Sequence, residues 1–196
     1  MPKTSTLILT SRTRSPLNLR NEVPVPSRGR VCLGVDPGLA RVGYGVLEQA
    51  GSCIRPLSYG CIKTSPEMSF AQRLKSIYDA LGEQLTLCSP DFMSVERLFF
   101  GRNVTTAEFV WQARGVVMLL AAQKNLEVLE PKPNQIKMAV CGFGGADKVQ
   151  VQRMVQRTLG LESIPSPDDA ADALAIALTG LALYSHERRL REPSVP

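Results

Sequence analysis

The sequence predicts an α/β domain built on a mixed five-stranded sheet flanked by helices. Three observations point there. Strand-like runs follow one another closely within residues 31–64, separated only by turns, which reads as an antiparallel meander. Beyond residue 69 the apolar period becomes helical, and helices then alternate with short strand-like runs, the pattern of parallel strands joined by crossovers. The chain has 196 residues and is 44% hydrophobic, which suits one domain with its own core and excludes wholesale disorder.

Each element has a local reason. Residues 31–35, Val-Cys-Leu-Gly-Val, form a buried strand that ends at Asp36, before the turn pair Pro37-Gly38. Residues 43–47 and 53–64 are the next two strands, parted by Ala50-Gly51-Ser52. Phe70, Leu74, Ile77, Leu81 and Leu85 keep helical spacing; Ser69 with Gln72 fits a capping box, and Pro90 prevents continuation. A short strand at 92–96 leads into an aromatic and basic loop at 98–102, then a helix over 105–123 and a fifth strand over 126–129. A short helix is expected at 133–140, and Asp147 can cap another over 148–159, which Gly160 ends. For the last helix the expected N-cap is Ser166, with Pro167, Asp168 and Asp169 in its first turn and its end near residue 184.

The formal net charge is +5, and residues 1–30 carry all of it; the body from 31 onward is neutral. Residues 1–30 read as a basic, disordered tail, residues 31–184 as the folded domain and residues 185–196 as a polar C-terminal tail. Overall charge is therefore no evidence that the folded part binds nucleic acid, and any such case must come from particular residues. No apolar run approaches the ~20 residues of a membrane-spanning helix. The cysteines, Cys32, Cys53, Cys61, Cys88 and Cys141, match no zinc spacing, and there is a single histidine, His186. An odd count without a secretory signal fits reduced thiols in a reducing, cytoplasmic setting.

Four acids stand out against apolar surroundings. Asp36 ends the first strand, and Glu96 follows the apolar run Phe92-Met93-Ser94-Val95. Taken singly, one serves as a turn former and the other as a solvated strand end. Asp169 suits a helix N-terminus through the macrodipole, and Asp168 shares that explanation with little else to recommend it. Asp172 is harder to dismiss, because it lies among alanines and leucines of the last helix and there needs a cation or donors. Asp169 and Asp172, at i and i+3, share a helical face. In open α/β sheets, sites form beyond the carboxyl ends of strands. If the strands ending at Asp36 and Glu96 are neighbours and the last helix crosses them, four carboxylates converge. Hard divalent cations, Mg²⁺ or Mn²⁺, relieve the repulsion. Two such ions suit phosphodiester hydrolysis.

Several motifs occur together and in order: Gly34-Val35-Asp36-Pro37-Gly38, Gly43-Tyr44-Gly45, Val95-Glu96, Gln112-Ala113-Arg114-Gly115, Ala146-Asp147-Lys148, and Asp168-Asp169-Ala170-Ala171-Asp172-Ala173-Leu174-Ala175. Over residues 31–183 the chain thereby resembles the RuvC family, bacterial Holliday-junction resolvases. The resemblance implies an RNase H-like fold, a homodimer and a metal-dependent endonuclease. Such an enzyme nicks four-way junction DNA in symmetric pairs and leaves 5′-phosphate and 3′-hydroxyl ends. It implies Asp36, Glu96, Asp169 and Asp172 as catalytic acids around two Mg²⁺ ions, with Mn²⁺ as an alternative. Phe99 matches an aromatic that contacts bases near the crossover. Lys137 and Lys148 match residues that meet DNA phosphate, and Arg102 and Arg97 can serve the same purpose. RuvA and RuvB are the partners it implies.

Ordinary packing competes with some of these roles. Phe99 and Phe100 can be buried beneath the following helix, and Lys137 and Lys148 can be plain solvated charges. The helix over 105–123 has more than one apolar stripe, so one face can cover the sheet and another can pair with a symmetry mate or with more core. Two other functions fit less well. A phosphotransferase of the actin and sugar-kinase class needs a second glycine-rich phosphate loop and a second lobe, for which the length leaves little room. A non-catalytic binding domain gives no reason for Asp172.

Overall fold

The computed structural model describes residues 29–98 and 104–191. In chain order the elements are β1 (Arg30–Asp36), β2 (Arg41–Ala50), β3 (Cys53–Lys63), α1 (Phe70–Cys88), β4 (Phe92–Val95), α2 (Val104–Gln123), β5 (Glu127–Leu129), α3 (Pro133–Cys141), α4 (Lys148–Thr158) and α5 (Asp168–Arg191). They build one mixed sheet in the order β3-β2-β1-β4-β5. β1, β2 and β3 form the antiparallel meander, while β4 runs parallel to β1 and β5 parallel to β4.

Strand parity divides the sheet between two cores. Val31, Leu33 and Val35 of β1, Val42 and Val46 of β2, and Met93 and Val95 of β4 pack under α1 and α2. Cys32, Leu47 and Phe92 point the other way, into the core shared with α3, α4 and α5. Helix α5 lies directly on this second face. Its residues Ala170, Ala171, Ala173, Leu174, Ala175, Ile176 and Ala177 are all buried. Small residues on the strands let it approach. A Cβ at Gly34 would overlap the backbone of Ala173 and Ala177, and one at Gly43 would overlap the Asp169 carbonyl.

Local capping follows the sequence. Ser69 and Gln72 form a reciprocal capping box at α1, and Asp147 with Gln150 forms another at α4, with bonds of 2.8 and 2.9 Å. Gly160 adopts a left-handed φ of 62° after α4, where glycine carries no steric penalty. The turn after β1 is closed by Thr64, whose amide donates to the Ala40 carbonyl at 3.1 Å and whose hydroxyl donates to the Leu39 carbonyl at 2.7 Å.

Two expectations need correction. Helix α5 begins at Asp168, not after a Ser166 cap: the Ala170 amide donates to the Pro167 carbonyl at 2.9 Å, so the first helical carbonyl belongs to Pro167. Asp168 and Asp169 are accordingly its first and second residues. Helix α5 also continues through residues 185–191, which were expected in a tail. Its polar end, His186 to Arg191, contains no breaker, and the next proline is Pro193. The basic segment 1–30 lies, except for Gly29 and Arg30, outside the described residues. No helix among the described residues is long and apolar enough to cross a membrane.

Because the would-be Cβ at Gly43 meets backbone, Gly43→Ala is expected to destabilise the fold by about 1–3 kcal/mol through overpacking. Urea denaturation checks this, and an unchanged midpoint would show that α5 does not need the glycine seat.

Candidate active site

Strand parity and register assemble the acids. In the parallel pair β1–β4, Cys32 faces Phe92, Leu33 faces Met93, Gly34 faces Ser94 and Val35 faces Val95. One step further brings Asp36 beside Glu96. Both continue the even-numbered series that points toward α5. The chain is held before Glu96 by the pairing of Val95 with Val35 and after it by the Arg97 amide, which donates to the Pro131 carbonyl at 2.9 Å. Opposite them, Asp172 projects from α5, one turn past the seat on Gly43.

Asp36, Glu96 and Asp172 line a single cleft. Pro133, Ile136 and Lys137 of α3 form one wall, and Lys148 and Val151 of α4 another. The Asp147 capping box fixes the start of α4, and so places Lys148 at the cleft. The Lys148 ammonium lies 3.2 Å from an oxygen of Asp168 and 3.3 Å from one of Asp172. Asp169 does not line this cleft. Its Oδ2 is turned to the Arg41 guanidinium at 3.6 Å and accepts from the Cys61 thiol at 3.7 Å.

The electrostatics are those of a crowded acidic site. Burial, and then the charges of Glu96, Asp172 and Asp169, push the Asp36 carboxyl from its ordinary 3.8 up to about 7. Burial, then Asp172, raises Glu96. Asp172 is also raised, chiefly by burial, even though Lys148 pulls it down. For Lys148, burial acts to lower the ammonium, but Asp172 and Asp168 outweigh it and hold the group above its ordinary value. Partial burial, then the charge of Asp169, raises the Cys61 thiol, which therefore remains a donor. All of these charge effects say that the acids lack positive charge.

In this arrangement no three carboxylate, thiol or imidazole groups among the described residues close around one point as an ion's ligands. The chemistry of the donor set still fits a hard divalent cation: oxygen ligands only, with ionisation suppressed first by burial and then by the repulsion of neighbouring carboxylates. A lysine offsets part of that repulsion at Asp172.

Comparison with known proteins is decisive about family. The model of the family "Crossover junction endodeoxyribonuclease RuvC" matches residues 32–180. The chain belongs to the RuvC family. The RuvC of Heliobacterium modesticaldum is 51% identical over 148 residues, covering 76% of this chain and 91% of that protein. The RuvC of Brevibacillus brevis is 50% identical over 147 residues, covering 75% and 89%. Among solved structures, T. thermophilus RuvC in complex with Holliday junction substrate superposes with a TM-score of 0.76 at 36% identity, covering 81% of this chain and 96% of that one. The fold is thus the RNase H-like fold of RuvC, as the motifs implied, and the chain is an endonuclease of this family. RuvC-family nucleases are metal-dependent in general.

Of the residues singled out in the sequence, the structure brings Asp36, Glu96, Asp172, Lys137 and Lys148 into one cleft. It sets Asp169 beside them, within reach of Asp36 by charge. Phe99 and Arg102 lie outside the described residues. Asp168, discounted in the sequence, holds Lys148. Its signal was available, because Asp168 and Asp172 are i and i+4 and share a face. Arg41 and Cys61 gave no linear signal; only the β2–β3 register brings them to Asp169.

The raised Asp36 carboxyl has a consequence for stability. Its native value of about 7 exceeds the ordinary 3.8, so folding takes up a proton between those values. Stability from this group is present below the lower value and is lost as pH rises through the upper one. In chelator, Asp36→Asn should melt progressively higher than the native sequence as pH rises from about 4 to about 7, and the gap should then level. Thermal melts at several pH values measure it; a gap that narrows with rising pH contradicts the burial of this acid.

Proposed function

We propose that the chain resolves Holliday junctions, nicking four-way junction DNA in symmetric pairs and leaving 5′-phosphate and 3′-hydroxyl ends. The observation that carries this proposal is the gathering of Asp36, Glu96 and Asp172 in one cleft whose other charged lining residues are two lysines. Asp36, Glu96, Asp169 and Asp172 would hold Mg²⁺, or Mn²⁺ in its place, two ions to a site. When bound, the ions supply an activated water and neutralise charge at the leaving oxygen.

The protein's own groups do the positioning. Lys137 and Lys148 project from the α3 and α4 walls and meet the phosphate that enters between them. Phe99 stacks on an unpaired base near the crossover, and Arg102 meets phosphate, as the resemblance assigns them. Two symmetric nicks call for a two-fold dimer. On the 20-residue helix α2, Ala113, Val117 and Leu120 face the core while Phe109 and Leu119 are exposed, which supports α2 as the element that pairs. Residues 30–191, from β1 to the end of α5, serve as the nuclease domain, and the basic segment before them adds weak, salt-sensitive DNA affinity. RuvA and RuvB complete the assembly, in the cytoplasm where bacterial chromosomal DNA lies.

Labelled four-way junction, plain duplex and structured RNA, each incubated with and without Mg²⁺, test the function. Only the junction should be cut, and only with metal. Asp36→Asn and Asp172→Asn should each abolish cutting while junction binding, read by gel shift, survives. Full cleavage by either variant removes the metal-site assignment.

A further inference from the structure

We propose that Arg41 and Cys61 are positioning residues for Asp169: together they clamp one of its carboxylate oxygens and fix the orientation in which that acid serves the metal site. The inference deepens the function proposed above and rests on it. Both groups engage the same atom, Oδ2, with the guanidinium at 3.6 Å and the thiol at 3.7 Å.

The backbone explains why these residues meet there. In the β2–β3 pair Gly43 lies opposite Cys61, and Arg41 lies opposite Lys63. Directly opposed residues share a face, so Cys61 points to the α5 side beside Gly43. The missing side chain of Gly43 lets the Asp169 carbonyl settle onto the strand. That seat delivers the Asp169 side chain to the thiol next door and to Arg41, two residues before Gly43 on the same face. The cations are thereby divided: Lys148 serves Asp168 and Asp172, and Arg41 serves Asp169.

Stability is not what such contacts provide. The Arg41 side chain is 59% exposed, and exposed ion pairs contribute little. A thiol is a weak donor. Their effect is to restrict the rotamers of a half-buried carboxylate, and groups that orient a ligand in this way typically govern metal affinity.

Charge alone makes the opposite prediction. If Arg41 were only a neighbouring positive charge, removing it would tighten the binding of a divalent cation. If it holds Asp169 in place, removing it weakens binding. Cys61→Val tests the same point with no change of charge.

The experiment is titration of the full chain with Mn²⁺ by calorimetry, without DNA, alongside thermal melts of each variant. Arg41→Gln and Cys61→Val should each weaken Mn²⁺ binding by about 10-fold, with melting unchanged. Arg41→Lys and Cys61→Ser, which keep a donor, should recover most of the loss. Affinity that is unchanged or tighter in both Arg41→Gln and Cys61→Val overturns the clamp while leaving the metal site standing. A native chain that takes up no Mn²⁺ overturns the metal site and the clamp together.

Discussion

Like charges resist being gathered out of water, and this protein gathers several. Asp36, Glu96 and Asp172 share a cleft, and Asp169 stands within electrostatic reach. Burial and mutual repulsion both favour the protonated acids. A fold selected for stability alone would replace such a cluster with apolar residues or spread it over the surface. The rest of the architecture can be understood as the means of enforcing this unfavourable proximity and of supplying positive charge to it.

Enforcement comes from backbone packing. Two strands deliver one acid each at their carboxyl ends, and a helix delivers two more from its first turns. The helix reaches the strands because Gly34 and Gly43 leave no side chain in the way. Alanines and leucines then bury α5 on most of its circumference. Apolar contact over many residues is large compared with repulsion among a few partly buried carboxylates. Lysine and arginine complete the arrangement from separate elements, Lys148 at the capped start of α4 and Arg41 at the start of β2. Asp172 and Asp169, one turn apart on α5, therefore take their cations from different pieces of the chain.

Much of this was legible in the sequence. The onset of helical spacing after residue 69, the capping box at Ser69, the cap at Asp147 and the end at Gly160 all mark local energetics, and local energetics can be read from a linear string. The acids were legible because a carboxylate in an apolar run is costly wherever the chain folds. Relations across elements were harder. The approach of Cys61 and Arg41 to Asp169 depends on the pairing of β2 with β3 and on the depth to which α5 settles, and neither is written in any one segment. The start of α5 was misjudged for a related reason. Ser166-Pro167-Asp168 satisfies the preferences of a capped helix at more than one offset, and only the hydrogen bond from Ala170 to Pro167 selects among them. The polar residues 185–191 read as a tail, yet no helix breaker intervenes before Pro193 and α5 runs on through them.

The alternating faces of β1 and β4 constrain how this protein can change over generations. Asp36 and Glu96 reach the cleft only because each is an even number of positions from Cys32 and Phe92, the residues that anchor their strands in the α5 core. Deleting or inserting one codon within either strand would turn its acid toward α1 and α2, into hydrocarbon. The stretch from Gly142 to Gly145 between α3 and α4 is under no strand parity, so a change of length there is borne more easily as long as Ala146 stays in the core and Asp147 still caps α4. Indels should therefore accumulate there among descendants of this gene, while the two short strands keep their length.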